Sequence, residues 1–382
     1  MINIINRDFT NLGMIDDYTS FIGGRGYSSI VGFELHLHED TVGAEHLIKE
    51  NILYVEPNKP YIILYRKISS STGEMVVKGL ELKAYLNRWV VFPPSGESHL
   101  KIKGTAEDIM KQYVEATLIR KGILDKFAIK PNLDRGEITT YQSRYKNLAE
   151  ELETLGKANG LGWNLILDLD NKKFVFDILQ GDDRTENQVD LPAAIFSLEY
   201  DNIEDQELTE SRMDYSNTAI VAGQGEGVDR VINIIGDNDL GFDSYELFVD
   251  ARDLEEEEEL PDRGKQKLAE VDEVLNFDSS VLANNNLVYE EDFRLGDIVT
   301  IVNNKWGIKA DRRIEKVSEI SEQSGFLVEV EFGDSPPTII EKVKRITDAP
   351  IYEGGTGGGV NLDAGRPDSN YGGIGSLDGG GV

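Results

Sequence analysis

Two closely spaced histidines in this chain have the residue type and spacing of metal ligands. His36 and His38 lie two residues apart in a segment where apolar and polar residues alternate. In a β-strand, that spacing puts both imidazoles on one face of the sheet. His46 could complete the set, but no carboxylate at a familiar ligand spacing accompanies it. We interpret these imidazoles, and His99, as surface side chains and expect no metal site.

Two further patterns are similar to ligand-binding loops without meeting their requirements. Gly223-Gln-Gly225-Glu-Gly227 has the glycines of a phosphate loop, which must lie between a strand and a helix. Here Val231–Ile235 follows, an apolar run typical of a strand, so we predict a hairpin turn. A second group has carboxylates suited to calcium but lacks the spacing of a calcium loop. Its members are Asp168, Asp170, Asp182 and Asp183.

The remaining chemistry is limited by composition. The chain has no cysteine, which excludes disulfides, thiolate zinc sites and cysteine nucleophiles. No serine has the flanking glycines of a nucleophile elbow. Asp and Glu total 70, and nothing singles out a catalytic pair, while Glu255–Glu259 is typical of a solvated charge block. The sequence therefore predicts no enzyme activity, no catalytic residues and no cofactor.

Charge and hydropathy exclude two classes of partner. Lys and Arg total 39 against 70 acidic residues, a formal net charge of −31. Such a surface repels nucleic acid phosphates and anionic lipids, so we expect no sequence-specific nucleic acid binding. The N-terminus lacks a signal-peptide pattern. Apolar stretches such as Tyr61–Tyr65 are far shorter than the roughly 20 residues that span a bilayer, which predicts no membrane span.

Hydrophobic periodicity indicates the elements that position these residues. In residues 1–97, apolar Phe33, Leu35 and Leu37 alternate with polar residues, and short apolar runs end at turns, which predicts a small antiparallel β-barrel. Residues 98–190 change period. A helix between Thr105 and Gly122, a second helix, and two strands predict an α+β domain.

The C-terminal half returns to strand patterns. Residues 191–250 and 277–346 together predict a second barrel, in which Phe326, Val328, Val330 and Phe332 alternate with polar residues. Between them, 251–276 form an acidic loop and a helix that begins at Pro261, with Leu268, Val271 and Leu275 on one side. Residues 347–382 form a glycine-rich tail without a core. The fold class is mixed β with α+β: two small antiparallel β-barrel domains, an inserted α+β domain and a glycine-rich C-terminal extension.

One segment carries a family resemblance. Asp292-Phe293-Arg294-Leu295-Gly296-Asp297-Ile298-Val299 resembles the DF-x-LGD-x-V strand of siphophage tail hub proteins, and Arg313–Val317 and Phe332-Gly333 follow in the same order. The helix at 263–270, the passage from Leu155 to Trp163 and the glycine-rich end at 376–382 also fit. The resemblance extends from residue 1 to about 346. The family itself is similar to the hub portion of tail-associated lysins and to myophage baseplate hubs.

The resemblance implies a function and partners. Three chains would place six similar barrels in a ring below a six-fold tail tube, with the α+β insertion and the helix near 261–275 as an outer brace. The implied partners are two further copies in a homotrimer, a distal tail protein or tail tube protein, a tape measure protein, and receptor-binding proteins or fibres. The implied location is the distal tail of a virion, made in the bacterial host cytoplasm, with a role in host cell attachment and DNA ejection.

Two alternatives stay open at this point. An extracellular or virion carbohydrate-binding module for host attachment would need exposed aromatic side chains, and the candidates are Trp89, Trp163 and Trp306, all of which we expect in the core. A carboxylate enzyme would need two facing acids in a deep cleft. Because no peptidase or lysozyme domain follows residue 346, we expect no cell-wall hydrolase activity.

Overall fold

Seven strands built from alternating apolar residues make up the N-terminal part of the computed structural model. The structure describes residues 2–333, apart from residues 237–240, 255, 272, 282–286 and 324, and the predicted tail at 347–382 lies outside the described residues. These strands, called module 1, are β1 (Ile2–Ile5), β2 (Asn11–Ile15), β3 (Ser20–Gly26), β4 (Gly32–His38), β5 (Ile52–Val55), β6 (Lys59–Ile68) and β7 (Glu74–Glu81). Leu35, Val77 and Ile63 are fully buried in its core, so the predicted alternation along β4 is confirmed.

The next segment forms the α+β unit that the change of period predicts. Its elements are β8 (Leu100–Thr105), α1 (Ala106–Lys121), β9 (Phe127–Ile129), β10 (Ile138–Ser143), α2 (Leu148–Asn159), β11 (Gly162–Asp168) and β12 (Lys173–Leu179). Thr105 caps α1 by accepting the backbone N–H of Asp108 at 3.3 Å, and Gly122 ends it at a φ of 68°. Both residues therefore act as the sequence predicts.

The described part of residues 183–332 contains ten strands and one α-helix. They are β13 (Asp183–Arg184), β14 (Ile195–Ser197), β15 (Glu207–Ser211), β16 (Thr218–Ala222), β17 (Ile232–Gly236), β18 (Glu246–Asp250), α3 (Leu260–Ala269), β19 (Val274–Val281), β20 (Ile298–Asn303), β21 (Ile308–Glu322) and β22 (Gly325–Phe332). We call β13–β15 and β19–β22 module 2. Phe196, Phe293 and Phe332 pack at the centre of its core.

The two modules share one topology. In module 1, the strands β3 to β7 lie in the order β3-β4-β7-β6-β5, and in module 2 the order is β15-β19-β22-β21-β20. Taken along the chain, the first to fifth strands thus occupy the same positions in both modules. Every neighbouring pair in both sets is antiparallel. The chain therefore contains the same five-strand arrangement twice.

No described sheet closes into a barrel, so the predicted barrels are not confirmed. Both modules instead belong to one continuous sheet, in which 14 of the described strands take part. The cause is β21, whose 15 residues extend beyond its own module and pair with β3. Alternation predicts which face of a strand is buried, but it does not reveal which strand lies at its edge.

Between β15 and β19, the chain forms a separate small sheet in place of part of the second barrel. Its order is β17-β16-β18, and α3 packs on one face, where Gly264 lies against Val221 and Ile235. The helix ends at Ala269, so Val271 and Leu275, expected on its face, lie beyond it. No helix in the described part of the chain has both the length and the apolarity to cross a bilayer.

A buried ion cluster holds the α+β unit together. Glu107 on α1 is fully buried and accepts hydrogen bonds from Lys111 Nζ at 2.6 Å and from Arg135 Nε at 2.8 Å. Arg135 also donates to the carbonyl of Ile178 on β12 at 2.8 Å. Burial alone would raise the pKa of Glu107, but the bonds from Arg135 and Lys111 outweigh it and lower this pKa to about 2. The carboxylate is thus ionised at neutral pH, as its partners require.

Substituting Glu107→Gln should lower the free energy of unfolding by about 3 kcal/mol at pH 7, because the buried Lys111 and the partly buried Arg135 would lose their counter-charge. The lowered pKa means that this stabilisation is present above the ordinary glutamate pKa and is lost as pH falls towards 2. The difference in free energy of unfolding between the native protein and the variant should therefore become smaller below pH 5. Urea unfolding at pH 7 and pH 3 measures this difference, and a difference that does not change with pH would contradict the prediction.

Candidate functional site

The contact between the two modules is the candidate functional site, and we call it the module junction. Its backbone part is the antiparallel pairing of β21 with β3, from Lys316 opposite Gly26 to Glu322 opposite Ser20. The first half of β21 pairs with β20, and β22 accompanies the strand across its second half. A single strand thus belongs to both modules, which makes their relative position a matter of backbone hydrogen bonding.

Glycines in β3 allow the following turn to lie directly against the strand. A Cβ atom at Gly24 would come within 2.3 Å of the Val31 side chain and 2.8 Å of the carbonyl oxygen of Gly32. At Gly26 it would lie 2.4 Å from the carbonyl oxygen of Ser29. All three distances are shorter than any allowed contact, so these positions of the junction require glycine.

Ion pairs cross the module junction. Lys59 Nζ on β6 donates to both carboxylate oxygens of Glu319 on β21, at 2.6 and 2.7 Å. The Lys59 side chain is only 5% exposed, so solvent screens this pair weakly. Arg25 on β3 donates to Glu290, which lies between β19 and β20, at 3.3 Å. In each pair the cation lies in module 1 and the carboxylate lies across the junction, so a change of register would separate the charges.

A buried pair at the end of β7 connects module 1 to the α+β unit. Glu81 accepts the backbone N–H groups of Gly26 at 3.1 Å and Val31 at 2.9 Å. Lys83 lies 3.6 Å from Glu81, and its Nζ sits 4.9 Å from the ring centre of Trp163. Burial raises the pKa of Glu81 and lowers that of Lys83. Each charge therefore depends on the other to offset its desolvation.

The Leu295-Gly296-Asp297 motif forms a buried turn in front of β20. Asp297 is 2% exposed and accepts the backbone N–H groups of Asp182 and Arg294, each at 2.9 Å. It also forms an ion pair with Arg184 at 3.0 Å. Burial raises the pKa of Asp297, while these hydrogen bonds favour its charged form. The motif is thus a structural turn that ties β20 to the end of the α+β unit.

Tyr27 lies where three parts of the molecule meet. Its hydroxyl is 3.0 Å from the carbonyl oxygen of Leu179 in the α+β unit and accepts the N–H of Gly181 at 3.2 Å. Arg313 of module 2 lies over its ring at 5.2 Å and donates to the carbonyl of Gly296 at 2.6 Å. Gly296 has a φ of 95°, and a Cβ there would be 2.2 Å from the ring of Tyr27. The aromatic ring therefore explains why this motif needs glycine.

The histidines that could have formed a metal site are placed separately. His36 and His38 lie on the outer face of β4, as predicted. His36 contacts two carboxylates, Glu34 at 2.7 Å and Glu74 at 3.1 Å. Burial lowers the pKa of His36, but these two hydrogen bonds outweigh it and raise it above its usual value. In the described residues, no three His, Asp or Glu side chains are grouped for a metal ion.

The other two histidines, His46 and His99, lie away from that strand. His46 is 3.6 Å from the carboxylate of its neighbour Glu45. His99 lies 3.0 Å from the hydroxyl of Ser98. Among the described residues, His36, His38 and His46 do not form a metal-binding group, so the three-histidine arrangement that the spacing allowed is not formed.

The predicted loops are turns. The segment Gly223–Gly227 connects β16 to β17, which pair antiparallel, and so the predicted hairpin is confirmed. Asp168 accepts the backbone and side-chain N–H groups of Asn171 at 2.9 and 2.8 Å within the β11–β12 turn. Asp183 instead accepts the N–H of Thr185 at 2.9 Å. The structure does not bring the two aspartate pairs together.

The three tryptophans differ in exposure. Trp163 is fully buried against Lys83, as expected of a core residue. Trp89 is partly buried and packs edge-on against Phe127, with ring centres 6.2 Å apart. Trp306 is 41% exposed in the turn between β20 and β21, so its expected place in the core is wrong.

Comparison with known sequences places this chain in a viral context. Residues 1–334 match the model of a family described as Siphovirus ReqiPepy6 Gp37-like protein. No curated protein matches the sequence. The family match covers module 1, the α+β unit and all described strands of module 2.

Three solved structures share the fold. The 43 kDa tail protein of prophage MuSo2 from Shewanella oneidensis has a TM-score of 0.57 and 14% identity, over 87% of this chain and 97% of that one. A tail protein from Neisseria meningitidis MC58 gives 0.52 and 14%, with the same shares. Prophage tail protein gp18 from Listeria monocytogenes gives 0.52 and 10%, over 91% and 98%.

Substituting Asp297→Ala should reduce the free energy of unfolding by about 3 kcal/mol, because two backbone donors and Arg184 would lose a buried acceptor. Asp8→Ala is the matched control: this carboxylate is exposed, and its loss should change stability by less than about 0.5 kcal/mol. Chemical denaturation followed by tryptophan fluorescence measures both. Equal stability of the two variants would show that the motif turn does not depend on Asp297.

Proposed function

Because this chain belongs to the family of Siphovirus ReqiPepy6 Gp37-like proteins, we propose that it is the hub of a phage tail tip, assembled as a homotrimer. Its structural role in a phage tail agrees with the tail proteins that share its fold. The observation that carries the finer proposal is the repeated module. Each chain holds two five-strand sets of one topology in one continuous sheet.

Two similar modules in each chain would allow a trimer to match a six-fold tail tube. A six-fold tail tube presents six equivalent positions, and three chains can occupy all six only if each chain carries two similar units. The module junction keeps those two units in fixed relation through the shared strand β21. The proposed neighbours are a distal tail protein or tail tube protein on the six-fold side, the tape measure protein, and receptor-binding proteins or fibres on the three-fold side.

The α+β unit and α3 fit the role of an outer brace. Asp262 of α3 accepts the hydroxyl of Thr139 on β10 at 2.9 Å, and Lys101 on β8 pairs with Glu259 at 2.7 Å. The insertion between β15 and β19 is therefore held on the α+β unit. This contact supports a rigid arm beside the two modules.

The charge of the chain suits a passage for DNA. With a formal net charge of −31, a central channel lined by this surface would repel the phosphate backbone and let it slide without binding. The proposed channel therefore has an acidic lining. A lumen lined mainly by Lys and Arg would contradict this part of the proposal.

A trimer is the first expected result. Light scattering of the purified full chain should give a mass near three times 42.6 kDa, because each chain supplies two of six ring positions. Dilution should shift the equilibrium towards monomer without a stable dimer, since an open dimer leaves two ring edges unpaired. A monomer at the highest concentration reached would contradict the proposal, as would a stable dimer.

We also expect no catalytic activity on the bacterial cell wall. Two deeply buried acids, Glu107 and Asp297, are engaged by fixed cations and backbone donors. Peptidoglycan zymography of the purified protein should show no lytic band, with hen lysozyme on the same gel as the positive control. A clear band at the mass of the chain would overturn this expectation.

A further inference from the structure

The two modules match strand by strand down to a shared irregularity. In β6, the pairing with β7 shifts between Ile63 and Tyr65. In β21, the pairing with β22 shifts between Ile314 and Lys316. Both β-bulges fall just after the stretch that pairs with the preceding strand, β5 or β20. The second half of β6, Tyr65–Ile68, therefore corresponds to Lys316–Glu319 in β21.

The same correspondence holds across the full width of each sheet. Cross-strand partners form a row that runs from the bulged strand to the first strand of the module. The row Tyr65, Lys78, Glu34 and Ile22 in module 1 matches the row Lys316, Glu331, Asp278 and Glu207 in module 2. It follows that Glu207–Ser211 in β15 corresponds to Ile22–Gly26 in β3.

Two pairs of strands correspond between the modules: the second half of β21 with that of β6, and β3 with β15. The module junction joins β21 to β3, which is one strand from each pair. Within the chain, the second half of β21 pairs with β3, so that Val317 lies opposite Arg25 and Glu319 opposite Gly23. The counterparts of these strands are the second half of β6 and β15. In the described part of the chain, β6 beyond the bulge pairs only with β7, and β15 lies at the end of the sheet with β19 as its one neighbour. Each therefore presents one open edge.

These open edges have complementary side chains. Transferring the register of the junction puts Arg66 opposite Glu210 and Ile68 opposite Leu208, with Tyr65 opposite Ser211 and Lys67 opposite Thr209. Arg66 and Glu210 are both exposed, and neither forms an ion pair with the described residues. Ile68 is 42% exposed on an edge strand, where an apolar side chain is a liability unless it is covered. A shift of one residue would lose both matched pairs.

We propose that β6 of one chain pairs with β15 of a second copy, in the register Arg66 to Glu210 and Ile68 to Leu208. This inference rests on the proposed trimeric hub and names the surface that builds it. The contact is a copy of the module junction made between chains. Because it joins module 1 of one chain to module 2 of the next, it is a head-to-tail contact, which forms a closed trimer when three successive rotations complete one full turn.

Engineered disulfides test the register directly, because the natural chain has no cysteine. Residues directly opposite in antiparallel strands have Cα atoms about 4.5 to 5.5 Å apart, within the reach of a disulfide. Ile68→Cys combined with Leu208→Cys in the full chain should give a covalent trimer on a non-reducing gel after mild oxidation. The reducing agent should return it to the single-chain band.

The matched control moves one cysteine along the same strand. Ile68→Cys with Ser211→Cys places the two thiols three residues out of register, roughly 10 Å apart, and should stay uncrosslinked. Equal crosslinking of test and control pairs would overturn the register. A trimer by light scattering in which the test pair does not crosslink would overturn this inference alone and leave the trimeric hub standing. A monomer without crosslinks would contradict both.

Charge reversal gives a second readout that needs no oxidation. Arg66→Glu or Glu210→Arg alone should weaken trimer association at least tenfold, because like charges would face each other. The double variant should restore association. Lys126→Glu makes the same charge change at an exposed position away from both edges and should leave the mass unchanged. Failure of the double variant to recover, or no loss in either single variant, would refute the Arg66–Glu210 contact.

Discussion

Backbone pairing between β21 and β3 is the interaction on which the rest of the structure depends. It makes the two modules parts of one sheet, so their relative position does not rely on a flexible linker. Main-chain hydrogen bonds would allow several registers, and the Lys59–Glu319 pair selects one of them. Glycines in β3 provide the space for the turn that packs behind the strand.

The acidic composition acquires a structural meaning in this setting. Three of the deeply buried acids are placed where parts of the chain meet. Glu107 joins α1 to the loop before β10, Glu81 holds the start of the turn after β3, and Asp297 ties module 2 to the end of the α+β unit. Each is compensated by a cation or by backbone donors. These three carboxylates therefore connect parts of the fold, while the exposed acids give the surface its charge.

Local sequence patterns predicted the individual elements correctly, but contacts between distant segments could not be predicted from them. Alternation predicted the buried face of β4, and capping residues predicted α1, because both depend on neighbours a few residues away. The order of weak motifs led to the tail-protein family, which the match over residues 1–334 confirms. The continuous sheet escaped prediction since β21 and β3 are about 300 residues apart. The role of Asp297 was hidden for the same reason: its partners Asp182 and Arg184 lie in a distant segment.

Quasi-equivalence of the two modules is the central claim. Cryo-electron microscopy of the assembled protein tests it most directly, because the sheet order around the symmetry axis can be traced. The account predicts six five-strand sets in one ring, modules 1 and 2 in alternation, with acidic side chains towards the lumen. A ring formed by three copies of one module, with the other module at the periphery, would contradict it.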